Sequence, residues 1–173
     1  MSVYLLALAL SALASHAAAE QTVAGAGSDL GFVFLLHRHG DRGPISPDTN
    51  IAASLFSQQW PLGCGELTGH GMRQLFDLGS TLRTRYVGAG ATNANFLPAQ
   101  FDASLHYTRS TDLHRTLQSA QSLLYAMYLN AGPVDNLTNS SLPGRYQPMP
   151  VSTVVKFTDY LLVGWDYGAL CVC

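Results

Sequence analysis

Residues 30–36 are apolar at nearly every position (Leu-Gly-Phe-Val-Phe-Leu-Leu), and this run limits the folds that the chain can adopt. A strand that is apolar on both faces usually lies inside a parallel sheet, with helices packed on each side. The run ends abruptly at a polar segment with two glycines, residues 37–44. Because ligands bind just beyond the carboxyl ends of strands in open α/β sheets, we expect the functional site in this segment.

The pattern after this strand predicts alternating helices and strands. Leucines recur at helical spacing, as in Leu75, Leu78 and Leu82. The predicted elements are an irregular segment at 45–66, a helix capped by Thr68 that ends near Tyr86, a strand at 104–108, a helix from Ser110 or Thr111 to about Asn130, and a strand at 151–157. Strand, helix, strand, helix, strand in this order predicts an α/β fold, with a parallel sheet and helices on both faces.

Residues 1–19 are predicted to be a signal peptide, which leaves residues 20–173 as the folded portion. An apolar run of signal-peptide length, residues 3–14, precedes the small residues Ala17–Ala19. A buried core helix and an uncleaved membrane anchor are the alternatives. No other segment approaches the roughly 18 apolar residues of a membrane helix, so membrane attachment is expected only through an uncleaved amino-terminal segment.

Two sequons, at Asn136 and Asn139, predict glycosylation in a turn-rich stretch. Together with the predicted signal peptide, they favour the secretory pathway. The expected locations are therefore extracellular, lysosomal, endosomal or membrane-associated.

Charge and cysteine content exclude several classes of protein. Nine cations and eleven anions give a net charge of −2, without the basic excess expected of a nucleic-acid-binding protein. The sequence has no zinc-binding spacing, because Cys171 and Cys173 form one close pair without a second pair. Cys64 could pair with either of them, and the sequence does not choose.

Arginines follow two of the predicted strands. Arg38 and Arg42 come after the first strand, and Arg109 follows the second. Three guanidinium groups that converge would bind a dianion such as phosphate. Neighbouring cations would lower the pKa of His39, so that its imidazole stays neutral and nucleophilic at mildly acidic pH. These residues predict phosphoryl transfer through a phosphohistidine, with ordinary loop residues as the alternative.

Four ordered segments also match a known family. Residues 38–45 (Arg-His-Gly-Asp-Arg-Gly-Pro-Ile) resemble the RHGxRxP signature of the histidine acid phosphatases. Residues 67–86 resemble the first-helix region of that family, residues 107–116 its second arginine motif, and residues 147–151 the approach to its next strand. Asp41 and Ile45 are more similar to the broad-specificity acid phosphatases than to the phytases.

The resemblance implies a phosphoglycerate mutase-like fold and hydrolysis of phosphate monoesters. It implies that His39 is the nucleophile, that Arg38, Arg42 and Arg109 hold the phosphate, and that no cofactor takes part. Arg73 and Arg115 are expected to be solvated or packed helix residues. Asp41 is expected to orient the loop, with a role as a substitute acid as the alternative.

One departure from the family pattern is decisive for activity. The family carries a second histidine that is immediately followed by an aspartate, and this aspartate protonates the leaving alcohol. In this sequence no histidine is immediately followed by an aspartate. We therefore expect the amino-terminal half of such an enzyme, with later strands and a helical insertion missing and with weak or no activity. A non-catalytic phosphate-binding or truncated remnant is the alternative, and the predicted signal peptide disfavours a phosphoglycerate-mutase-type transferase.

Overall fold

The computed structural model describes residues 30–46, 52–93, 96–134 and 141–163, together with the backbone of residues 5–10. The sequons at Asn136 and Asn139 and the cysteines Cys171 and Cys173 lie outside these ranges. In chain order the elements are β1 (Leu5–Leu10), β2 (Val33–Arg38), α1 (Ala53–Gln59), α2 (Gly69–Tyr86), β3 (His106–Ser110) and α3 (His114–Met127), followed by two 3-10 helices at Pro143–Arg145 and Lys156–Thr158.

A three-stranded parallel sheet organises the described residues, and its strand order is β2-β1-β3. In the central strand, Leu8 is level with Leu36 of β2 and with Arg109 of β3. The α/β class predicted from the sequence is confirmed. The strand β1 was not predicted, and it lies within the proposed signal peptide. Cleavage after residue 19 stays a prediction, because residues 11–29 are outside the described ranges.

The hydrophobic core lies between one face of the sheet and the helices α2 and α3. Val33 and Leu35 of β2 pack there with buried leucines and a methionine of the two helices. The alternate residues of β2 point to the other face, where Phe34 is 38% and Leu36 39% exposed. Among the described residues, the predicted helices on both faces of the sheet are therefore found on one face only.

The helix α2 follows the prediction closely. Thr68 caps it, and the Thr68 hydroxyl oxygen accepts a hydrogen bond from the Gly71 amide at 3.0 Å. Gly79 allows α2 and α3 to approach closely, because a Cβ at this position would overlap the carbonyl oxygen of Leu123. None of the helices in the described ranges is long and apolar enough to cross a membrane.

Several predicted boundaries were wrong. The second strand begins at His106 instead of 104, so Arg109 lies within β3 rather than after it. The helix α3 begins after Leu113, and its N-cap residue makes no side-chain cap hydrogen bond. The two predicted caps, Ser110 and Thr111, are both buried; Ser110 ends β3, and the Thr111 hydroxyl donates to the hydroxyl of Thr116 at 2.9 Å.

Two further elements differ from the prediction. The helix α1 occupies part of the segment expected to be irregular. The third strand is absent from the described residues of 151–157, where Ser152 alone pairs with β3, through Thr108 and Ser110. β-Branched and aromatic residues favour a strand only when neighbours pack against them, and Val155 and Phe157 are 64% and 74% exposed.

Candidate active site

His39 lies directly after β2 and is 8% exposed. Its Nδ1 is 2.7 Å from the carbonyl oxygen of Gly40. A carbonyl oxygen only accepts hydrogen bonds, so in this contact Nδ1 carries the proton. The lone pair of the neutral ring is then on Nε2, which is the atom that can attack an electrophile.

The surroundings of His39 favour its neutral form. Its pKa is lowered from the ordinary value, first by burial and then by the positive charges of Arg38, Arg115 and Arg42, whereas the hydrogen bond to Gly40 acts in the opposite direction. Burial and neighbouring guanidinium groups both favour the neutral imidazole over the imidazolium. The ring therefore combines a free lone pair with nearby positive charge.

Three hydrogen bonds fasten the loop after β2 to both long helices. The Gly40 amide donates to Ser119 Oγ of α3 at 3.1 Å, and the Asp41 amide donates to Gln74 Oε1 of α2 at 2.8 Å. The Thr68 hydroxyl donates to Asp41 Oδ2 at 2.7 Å. Asp41 thus joins the loop to the beginning of α2, the orienting position expected for it.

Two glycines allow the loop to reach α2. A Cβ on Gly40 would overlap the carbonyl oxygen of Gly71, and a Cβ on Gly71 would overlap the carbonyl oxygen of Asp41. Neither glycine needs an unusual φ angle, so the requirement is space alone. This close approach holds the loop that carries His39 against the beginning of α2.

Arg42 extends the same loop. Its Nη1 donates to the carbonyl oxygen of Gly43 at 2.8 Å, and its Nε is buried without a hydrogen-bond partner among the described residues. The backbone of Arg42 pairs with Leu67, and the Gly43 amide donates to the Glu66 carbonyl oxygen. The positive charges of Arg38 and Arg42 both lower the pKa of His39, so the two arginines belong to its electrostatic surroundings.

Arg109 is engaged elsewhere. Its Nη2 lies 2.7 Å from Asp159 Oδ1, and the Asp159 side chain is fully buried. In the sheet, Arg109 of β3 is level with Leu36 of β2, which lies two strands away. Leu36 precedes His39 by three residues. At about 4.8 Å per strand and about 3.3 Å per residue, this places the two backbones about 10 Å apart in each direction. Arg109 and Asp159 form an ion pair that the sequence analysis did not predict.

Arg115, at the beginning of α3, was expected to be an ordinary helix residue, but it lies in the electrostatic neighbourhood of His39. Its Nη1 is 3.4 Å from the carbonyl oxygen of Gly65, and its charge lowers the pKa of His39. One signal in the sequence pointed to it, since Arg115 belongs to residues 107–116, the segment that resembles the second arginine motif of the histidine acid phosphatases.

His37 is a buried neighbour on the same strand face. Its pKa is lowered chiefly by burial, and its Nδ1 donates to the carbonyl oxygen of Arg38 at 3.0 Å. Within the described ranges, no group of three or more His, Cys, Asp or Glu side chains is placed to hold a metal ion. The chemistry available near His39 is therefore that of a nucleophilic imidazole surrounded by guanidinium groups.

Comparison with known proteins gives a consistent family match. Residues 29–159 match the family model of the histidine phosphatase superfamily (branch 2). Human testicular acid phosphatase is 39% identical over 136 residues, which are 76% of this chain and 28% of that protein. Bovine (Bos taurus) prostatic acid phosphatase is 41% identical over 78% of this chain and 31% of its own length.

Lysosomal acid phosphatase of Xenopus laevis is 38% identical over 78% of this chain and 28% of that protein. The chain thus spans about a third or less of the length of these relatives.

Proposed function

This chain belongs to branch 2 of the histidine phosphatase superfamily, and we propose that its described residues form the nucleophilic and phosphate-binding part of an acid phosphatase site. One observation carries the proposal. His39 is buried, its Nδ1–H is held by the Gly40 carbonyl oxygen, and its Nε2 lone pair is free beside guanidinium groups. The substrate class is a phosphate monoester.

The proposed reaction has two displacements at phosphorus. His39 Nε2 attacks the phosphorus atom, a P–N bond forms, and the P–O bond to the alcohol breaks with its electron pair leaving on the alcohol oxygen. Water then attacks the phosphohistidine, the P–N bond breaks, and inorganic phosphate is released while Nε2 regains its lone pair. Arginine side chains stabilise the charge on the phosphoryl oxygens in both steps.

Arg38, Arg42 and Arg109 are the proposed phosphate-binding residues. Support is strongest for Arg38 and Arg42, whose charges act on His39 and which flank it in the loop. Arg109 needs to leave Asp159, or to bind phosphate through the nitrogen atoms that Asp159 does not contact. Its Nε is buried without a partner among the described residues, so this donor is among those that remain for an anion.

The leaving alcohol needs a proton, and the described carboxylates near the site are engaged. Asp41 accepts from Thr68, and Asp159 is paired with Arg109. Loss of a general acid typically lowers a rate by about two to four orders of magnitude. We therefore propose that this chain forms the phosphohistidine mainly from substrates with good leaving groups, and that a non-catalytic phosphate-binding remnant is the second candidate function.

We also propose that the sheet is an incomplete phosphoglycerate mutase-like domain. Phe34 and Leu36 are partly exposed on the face that lacks described helices, and the chain matches about three-tenths of each relative. Further strands and helices on that face would bury these side chains.

The test is phosphoryl transfer from nitrophenyl phosphate at about pH 5, where the lowered pKa of His39 leaves a larger neutral fraction than an ordinary histidine would have. Nitrophenol release and radiolabelled phosphate on the protein are measured for the wild type, His39→Ala and the control His114→Ala. His114 is a matched control because its side chain is 79% exposed.

We expect label on the wild type and on the His114 variant and none on His39→Ala. Label with slow release of nitrophenol supports a defect at the missing acid. Equal inertness of all three proteins refutes an enzymatic function, and binding of inorganic phosphate without labelling supports the second candidate.

For localisation we propose the secretory pathway, with cleavage after residue 19 and glycans at Asn136 and Asn139. Cleavage would remove β1, so the sheet with β1 at its centre belongs to the uncleaved chain. The names of the relatives, which include lysosomal and prostatic acid phosphatases, support this route. Expression in eukaryotic cells, followed by amino-terminal sequencing and glycosidase treatment, tests both points. A chain that keeps residue 1 and does not change in mass on glycosidase treatment contradicts the proposal.

A further inference from the structure

We propose that Gln74 of α2 is a positioning residue for the nucleophile His39, and that it acts through the peptide group between Gly40 and Asp41. The inference rests on the proposed function and deepens it, because it assigns a side chain that keeps the attacking nitrogen of His39 free of its proton. Gln74 is exposed and touches neither the imidazole nor the phosphate-binding arginines in any described hydrogen bond.

A single peptide group connects Gln74 to His39. Its carbonyl oxygen is that of Gly40, which lies 2.7 Å from His39 Nδ1. Its N–H is that of Asp41, which donates to Gln74 Oε1 at 2.8 Å. The peptide bond is trans, so its N–H and its C=O point in opposite directions within one plane. A hydrogen bond on the N–H side therefore fixes the direction of the carbonyl oxygen on the other side.

The direction of the Gln74 carboxamide follows from its two partners. The Asp41 N–H can only donate, so the oxygen of the carboxamide faces the loop and the nitrogen faces away from it. That nitrogen lies 3.3 Å from Nε2 of His70, one turn earlier on α2, and donates to it. The Thr68 hydroxyl also holds the Asp41 carboxylate against the beginning of the helix. The acceptor of Gln74 is thus held in place toward the loop.

The preceding peptide group is held from the opposite helix. The Gly40 N–H donates to Ser119 Oγ of α3 at 3.1 Å, and the buried Ser119 hydroxyl donates to the Arg115 carbonyl oxygen at 2.6 Å. Gly40 has no side chain to restrict the rotation of the peptide groups on either side of it. The two helices therefore supply the restraint that Gly40 itself lacks, and Gln74 restrains the group that contacts His39.

This restraint selects the reactive tautomer of the imidazole. With Nδ1–H donating to the Gly40 carbonyl oxygen, the lone pair is on Nε2, where it can attack phosphorus. The bond from Asp41 to Gln74 polarises the peptide group and makes its carbonyl oxygen a stronger acceptor. Without that bond the peptide group can rotate, and the ring gains access to the tautomer whose Nε2 carries the proton and cannot attack.

The test compares three variants of the full chain with the wild type. Gln74→Met keeps a long side chain of high helix propensity but offers the Asp41 N–H no strong acceptor. Gln74→Glu keeps an oxygen acceptor and is the conservative rescue. Gln121→Met is the matched control, because Gln121 is also an exposed glutamine on a long helix. Replacement of exposed side chains should leave the core intact, and urea unfolding midpoints check this.

The main readout is the nitrogen-15 magnetic resonance of the His39 ring, which distinguishes a protonated from an unprotonated nitrogen. Comparison with His39→Ala assigns the signals, at about pH 7.5, where an ordinary histidine is already mostly neutral. We expect the Nδ1–H tautomer in the wild type, Gln74→Glu and Gln121→Met, and a mixture of tautomers in Gln74→Met.

Two further measurements separate positioning from a general loosening of the site. The rate of labelling by radioactive nitrophenyl phosphate should fall about threefold to tenfold in Gln74→Met, as the loss of one hydrogen bond predicts. The Kd for inorganic phosphate should stay unchanged, because the arginines of the site are untouched. Gln74→Glu should label faster than Gln74→Met.

The outcomes distinguish this assignment from the proposed function. If folded Gln74→Met keeps the wild-type tautomer signal, the assignment of Gln74 is overturned. A weaker phosphate affinity without a change of tautomer indicates a merely structural role and overturns it as well. If the wild type takes up no label, the proposed function is wrong, while the tautomer signals, which need no substrate, still decide the role of Gln74.

Discussion

Two Arg–Asp ion pairs of nearly equal length occupy opposite surroundings in this structure. Arg109 and Asp159 are 2.7 Å apart, with side chains 19% and 0% exposed. Arg73 and Asp77 are 2.9 Å apart, with side chains 71% and 59% exposed. The first pair joins β3 to the end of the described chain, and the second joins adjacent turns of α2. Because both pairs join an arginine to an aspartate, they allow the contribution of a buried and of an exposed ion pair to the free energy of unfolding to be compared.

We predict that Asp159→Ala lowers the free energy of unfolding by about 3–5 kcal/mol, because it leaves a largely buried guanidinium without its carboxylate. It also removes the acceptor of the Leu162 amide, which donates to Asp159 Oδ1 at 3.1 Å. Asp77→Ala removes an exposed pair at i,i+4 and should cost about 0.3–0.5 kcal/mol. A total stability of about 5–15 kcal/mol makes the first loss large and the second nearly invisible.

The measurement is urea unfolding followed by circular dichroism, for Asp159→Ala, Asp77→Ala, Arg109→Ala and the Arg109→Ala, Asp159→Ala double variant. The double variant should be destabilised by less than the sum of the losses in Arg109→Ala and Asp159→Ala, since it no longer contains an isolated buried charge. If Asp159→Ala costs no more than Asp77→Ala, the argument from burial is refuted.

Two further predictions concern the loop and the histidines. Gly71→Ala should destabilise the fold by about 1–3 kcal/mol, because the added Cβ would overlap the Asp41 carbonyl oxygen. Gly69→Ala is the control, because nothing lies within 4 Å of a Cβ at that position, and its unfolding midpoint should not fall. Equal unfolding midpoints for the two variants would contradict the predicted overlap at Gly71. Burial is the chief cause of the lowered pKa values of His37, His39 and His106. The unfolded chain therefore binds more protons below about pH 6.5, so the free energy of unfolding should fall as the pH drops through that value toward the folded pKa values. Urea midpoints at several pH values measure this slope, which should be shallower in His37→Gln; an unchanged slope is the contrary result.

Local signals explain the parts of the fold that were predictable. The helix α2 and its cap at Thr68 depend on residues within a few positions of one another, and the apolar run before His39 marks β2 in the same way. The prediction of a strand at 151–157 was wrong because a strand depends on a partner, and of these residues Ser152 alone pairs with β3. The strand β1 was missed because an apolar run typical of a signal peptide also suits the middle of a sheet.

In the site, too, residues close together in the sequence were predictable, and residues that meet through tertiary packing were not. Residues in one short motif, Arg38, His39 and Arg42, were predicted together and do lie together. Asp159 was missed because it meets Arg109 across 50 positions of sequence, with no pattern that links them. Arg115 was underestimated because its place beside the loop depends on how α3 packs, which the spacing of apolar residues does not define.

The central position of β1 has a consequence for the order of folding. Leu5 pairs with Val33 of β2 and with His106 of β3, which follows about a hundred positions later. Closing the longer loop costs only about 1 kcal/mol more entropy than closing the shorter one. The pairing of β1 with β3 is delayed by synthesis. At about 5–20 residues per second, β3 is made about 4–15 s after β2. During that interval one edge of β1 has no partner. If residues 1–19 act as the proposed signal peptide, the secretory machinery would compete with the sheet for the same residues.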